Sequence, residues 1–152
     1  MRSSNLLFLS SWVILLVVAA AIVLLSLQSL RVAYLGGPDT LSGTYSLTQI
    51  AEQGGEEAVN AFRGRRATAA TWALGYALLA IAVIWFPYRR AEKWAWWAVF
   101  LSVAISQLLS MARAVMLGTT VGTGAASMVF AFVLLGLLAG APRVFSQREP
   151  KL

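Results

Sequence analysis

The stretch Trp94–Leu117 reads WAWWAVFLSVAISQLLSMARAVML. It is apolar nearly throughout and long enough to cross a bilayer, which takes about 20 residues. It opens on a tryptophan cluster, Trp94, Trp96 and Trp97, and carries Gln107 and Arg113 inside the apolar run. A cation placed there needs a partner, a water path or a route to the surface. A helix of this kind does not stand alone in a soluble domain, and the rest of the chain repeats its pattern.

Working back from it, the stretch 67–86 is a second apolar span, closed by Pro87-Tyr88-Arg89-Arg90. Further back, Leu6 to Leu27 is a third such run behind Met1-Arg2-Ser3-Ser4-Asn5. It is longer than the roughly 7–15 apolar residues of a signal peptide, so despite Ala19-Ala20-Ala21 an uncleaved first transmembrane helix is expected. Working forward, an uncharged glycine- and threonine-rich turn, Gly118–Gly124, precedes a span at about 125–141. There Gly136 and Gly140 form a GxxxG pair, which lets one helix backbone approach another.

Composition agrees. Of 152 residues 59% are hydrophobic and only 12% charged, about half the charge of an ordinary soluble domain. The net charge of +6 sits at the edges of apolar blocks, beside anionic headgroups, and does not suggest nucleic acid as a partner. The chain has no cysteine and no histidine. This excludes disulfides, thiol chemistry, His-ligated haem and the usual zinc site, so no metal and no cofactor are expected. No nucleotide, metal or acyl-transfer motif is present.

The segment 28–66 is the only substantial polar one and is expected outside the bilayer. Within it Leu35-Gly36-Gly37-Pro38-Asp39 reads as a turn. Ser46-Leu47-Thr48-Gln49 reads as a capping box before a short helix that Gly54-Gly55 ends. Glu56 and Glu57 then suit the positive end of a new helix running into the second span. In that span Thr68, Thr71 and Gly75 share a face that could admit another helix.

The reading is therefore an all-α integral membrane protein. It is a four-transmembrane-helix bundle forming one domain over 1–152, with a polar, partly helical segment between helices 1 and 2. The N-terminus, the Tyr88 turn and the C-terminal tail carry seven Lys and Arg, the opposite side four. The positive-inside rule places both termini in the cytoplasm, in a bacterial inner membrane.

Two groups of site residues stand out. In the third helix Ser102, Ser106, Ser110 and Arg113 lie within an arc of roughly 80° at helical periodicity. With Gln107, and with Glu56 or Glu57, they could hold an anionic headgroup or carboxylate. The bland alternatives are that Arg113 snorkels to the surface or pairs structurally, and that the serines bond their own backbone. Glu56 and Glu57 are adjacent and do not face a common point, which makes them a poor acid–base pair. The second group is Arg89, Arg90, Lys93, Trp94, Trp96 and Trp97. It reads as an aromatic and basic belt at a membrane surface that contacts lipid.

The turn Pro87-Tyr88-Arg89-Arg90-Ala91-Glu92-Lys93-Trp94-Ala95-Trp96-Trp97 between two spans resembles that of small, four-helix bacterial membrane proteins of the DoxX-like kind. The resemblance covers the turn and the helix count. It implies a four-helix bundle and no established catalytic residues. The expected role is that of a non-catalytic membrane subunit or scaffold whose partners are lipids, other membrane proteins or further copies of itself. A carrier or enzyme built on Arg113 is the alternative, and an oligomeric channel a weaker one.

Overall fold

The computed structural model describes residues 2–36, 47–118 and 123–146, without the side chains of 2–4, 113, 114 and 117. These residues form α1 (Arg2–Leu35), α2 (Leu47–Trp85), a 3-10 turn (Tyr88–Arg90), α3 (Lys93–Leu117) and α4 (Thr123–Ser146). No strand occurs among the described residues. All four helices are long and apolar enough to cross a membrane. A helix suits such a sequence because it satisfies its backbone hydrogen bonds internally, whatever surrounds it.

Several helices run past the expected ends of their spans. Helix α1 continues beyond the expected span through Gln28, Ser29 and Arg31 and stops at Gly36, in the expected turn. Gly36 takes a left-handed conformation (φ 76°), and its N–H bonds the carbonyl of Val32 at 3.1 Å. Helix α4 passes through Pro142, expected to end the span, and continues to Ser146. Pro142 lacks the N–H that would reach the Leu138 carbonyl. The following turn is held by side-chain packing instead: Val144 is buried and Phe145 meets Trp96 and Trp97.

The break expected at Gly54-Gly55 is present. Gly55 has φ 69° and ψ −171°, a conformation that only glycine adopts readily, and α2 is two helical segments joined there. Glu56 and Glu57 open the second segment and are exposed. Ser46 of the capping box, Gly37-Pro38-Asp39 of the first turn and residues 119–122 of the later turn lie outside the described residues.

The chain forms two compact units, Met1–Ala20 with Leu79–Leu152, and Ala21–Leu78. In the first, α3 and α4 pack along each other. They run antiparallel, because Trp96 at the start of α3 meets Phe145 at the end of α4. Helix α1 offers this unit Phe8, Ser11, Leu15 and Ala19, spaced three, four and four and all buried. Gly136 and Gly140 are the points of closest approach. A Cβ on Gly136 would lie 3.0 Å from Leu15 Cδ2, and one on Gly140 would run into the Tyr88 hydroxyl and Ser11 Oγ. The GxxxG pair thus admits the first helix and the Tyr88 turn.

In the second unit the buried residues are small: Ser26, Ala33, Ala67, Ala70 and Ala77. Arg66 Nε donates to Ser29 Oγ at 3.1 Å. The expected Thr68–Thr71–Gly75 contact face is not formed among the described residues. Both threonine hydroxyls turn back onto their own helix, to Gly64 and Ala67, and a Cβ on Gly75 would meet no described atom within 4 Å.

Candidate functional site

The polar and aromatic residues of the first unit gather where residues 5–12, 85–97 and 137–145 meet. The turn between α2 and α3 creates this meeting point. Pro87 fixes φ at −76° and starts the 3-10 turn. Its carbonyl accepts from Arg90 and Glu92 N–H, each at 3.1 Å. Ala91 closes the turn at φ 60°, ψ 33°, where an L side chain costs about 1–2 kcal/mol. Its N–H is paired with the Tyr88 carbonyl at 2.8 Å, which offsets part of that cost.

This geometry drives Tyr88 inward. It is 0% exposed, its ring stacks on Phe8 at 5.8 Å, and its hydroxyl shares a 2.5 Å hydrogen bond with the buried Ser11 hydroxyl. The pair lies in the space that the missing Cβ of Gly140 leaves open. Arg143 donates to Asn5 Oδ1 and sits over the Phe8 ring at 4.8 Å. A tyrosine, a serine, an asparagine and an arginine thus use their polar atoms to fix α1, the turn and α4 to one another.

The basic residues of the belt are arranged unequally. The Arg89 guanidinium lies 5.3 Å from the ring centres of both Trp12 and Trp85, which meet edge to face at 6.0 Å. Each such cation–π contact contributes about 0.5–1 kcal/mol where exposed. Arg90 is exposed and borders a recess with Trp85, Phe86 and Arg89. Lys93 begins α3 and is half-buried. The Trp94 indole donates to Glu92 Oε2 at 2.6 Å. Trp96 is half-buried: its indole donates to the Leu137 carbonyl at 2.9 Å, and its ring packs on Trp97, Phe100 and Phe145. Trp97 is about half exposed and touches Phe100 and Phe145.

The α3 stripe behaves differently. Ser102 Oγ bonds the Val99 carbonyl, and Ser106 Oγ bonds the carbonyls of Ser102 and Val103. At least those two serines back-bond to their own helix. Ser110 is half-buried, and the Arg113 side chain lies outside the described residues. Gln107 Oε1 is buried without a hydrogen-bond partner. Among the described residues no three His, Cys, Asp or Glu side chains come together.

Sequence reasoning placed the turn and its basic residues but missed Asn5, Phe8, Ser11 and Trp12. Their signal was the spacing 8, 11, 15, 19, which marks one face of α1. In a helix apolar on every side, that face does not stand out from those around it. No family model matches the chain, nor does any curated protein or solved structure.

Proposed function

We propose that the chain is a small, non-catalytic integral membrane subunit or scaffold: a four-helix membrane bundle of the bacterial inner membrane, both termini cytoplasmic, packing against lipids and other membrane proteins. The observation that carries this reading is how the side chains are used. The polar groups around the turn are largely engaged within the chain, Tyr88 with Ser11, Arg143 with Asn5 and Trp94 with Glu92. The large apolar side chains face outward, and only 17–22% of each candidate span is buried within the chain. Leu101, Ile105, Leu108 and Leu109 on α3 and Met128, Phe132, Leu135 and Leu138 on α4 are all exposed. Such a surface suits lipid tails and the flanks of other membrane helices. Purification in mild detergent followed by native mass spectrometry tests this. The reading expects the chain to be recovered with other membrane proteins at fixed stoichiometry. Recovery as a lone chain, without partner proteins and carrying one small molecule other than a membrane phospholipid, would contradict it.

A second reading, a carrier or enzyme working through Arg113, is favoured by one observation. Gln107, six residues before Arg113 on α3 and on a different face, keeps a buried and unpartnered acceptor. In a protein interior such an atom usually has a donor. A bound molecule released by both Gln107→Leu and Arg113→Leu would favour that reading.

A further inference from the structure

The recess beside the α2–α3 turn has a volume of about 310 Å³ and is lined by Trp85, Phe86, Arg89 and Arg90. That lies at the lower end of the range for small-ligand sites, about 300–1,000 Å³. It combines two guanidiniums with two aromatic walls at the end of an apolar helix long enough to cross a membrane. Among the described residues neither Arg89 nor Arg90 is paired with a carboxylate. The acidic residue of the same turn, Glu92, is bonded to the Trp94 indole.

Arg89 is also held in place. Its guanidinium lies 5.3 Å from the ring centres of both Trp12 and Trp85. Cation–π contact does not use up the N–H donors, of which a guanidinium has five. A side chain already fixed loses less freedom when those donors bind an anion. The exposed rings of Trp85 and Phe86 add apolar surface, which a free inorganic ion would not use but a lipid's glycerol and upper acyl chain would. We propose that this recess binds the phosphate of an anionic phospholipid, with the Arg89 and Arg90 guanidiniums on its oxygens and Trp85 and Phe86 against the glycerol end. The inference rests on the integral-membrane reading and gives its lipid contact a place and a chemistry.

The test uses the full chain in a neutral detergent, with native mass spectrometry counting retained lipid. Phosphatidylglycerol, phosphatidylcholine and inorganic phosphate are added in turn. One phosphatidylglycerol per chain should be retained in preference to phosphatidylcholine, and inorganic phosphate should not displace it. Arg89→Gln with Arg90→Gln should weaken retention at least about tenfold, the loss expected when charge-assisted hydrogen bonds are removed. Arg31→Gln with Arg65→Gln removes the same charge from exposed positions elsewhere and should leave retention unchanged. Arg90→Gln alone, which disturbs no packed ring, should also weaken retention, so a double variant that fails to fold still leaves a decisive measurement. Equal losses in both double variants would overturn the inference, as would full retention by Arg90→Gln or ready displacement by inorganic phosphate. Extraction of membranes at alkaline pH separates the two levels: a chain that resists extraction yet shows no headgroup preference refutes this site alone.

Discussion

At the scale of single residues, the Tyr88–Ser11–Gly140 contact is the most constrained point in the first unit. Tyr88 is wholly enclosed, so its hydroxyl cannot withdraw from an added methyl on Gly140. Gly140→Ala should lower stability in detergent by about 1–3 kcal/mol, the usual range for overpacking. Gly136→Ala should cost less, because its nearest neighbours at 3.0 and 3.1 Å are atoms of the flexible Leu15 side chain. Thermal melting of the two variants checks the order, and a larger loss for Gly136→Ala would contradict it. Tyr88→Phe removes one hydrogen bond and should cost about 1 kcal/mol, since Ser11 can turn back to its own helix as Ser10 does to Leu6. The same change removes the oxygen that blocks Gly140, so Tyr88→Phe should partly rescue Gly140→Ala. The double variant should be more stable than the two single losses added together.

At the scale of elements, much was legible in the sequence because length and composition decide it. The four helices, the break at Gly55 and the turn at Pro87–Glu92 follow from apolar runs, glycine and proline. The end of α1 falls at the turn expected from Leu35-Gly36, but the end of α4 was not legible. Pro142 reads as a stop, yet α4 runs on because Val144 and Phe145 are packed. Local propensity is a weak prior, and tertiary contact overrides it there. The role of Trp96 was hidden for a related reason. Three tryptophans in four residues look alike in sequence, but only helical phase decides that Trp96 reaches Leu137 while Trp94 reaches Glu92. Trp96→Phe should therefore lower detergent stability by about 1 kcal/mol or more through the lost hydrogen bond, whereas Trp97→Phe should cost less. Equal melting temperatures for the two variants would contradict this. On α3, the back-bonded Ser102 and Ser106 leave Arg113 with fewer donors beside it than the stripe suggested. Arg113→Leu and Arg113→Lys should both release no bound anion. A folded Arg113→Leu protein that has lost one would move the chain into the carrier or enzyme class.

At the scale of the whole molecule, four helices are long and apolar enough to cross a membrane. The proposed topology, with both termini and the Tyr88 turn in the cytoplasm, rests on these and on the charge asymmetry of seven against four. The contacts among Asn5, Phe8, Tyr88 and Arg143 are in keeping with this, since they bring the start of α1, the turn and the end of α4 together. The same arrangement would set the Arg89–Arg90 recess at the cytoplasmic surface, where anionic headgroups attract basic side chains. The chain has no cysteine, so single introduced cysteines report without background. The most direct measurement places cysteine in turn at Ser3, Ser42 and Ser146 and exposes intact cells to a membrane-impermeant thiol reagent. The account predicts labelling of Ser42→Cys in intact cells, with Ser3→Cys and Ser146→Cys labelled only after lysis; labelling of Ser3→Cys and Ser146→Cys but not Ser42→Cys in intact cells would contradict it.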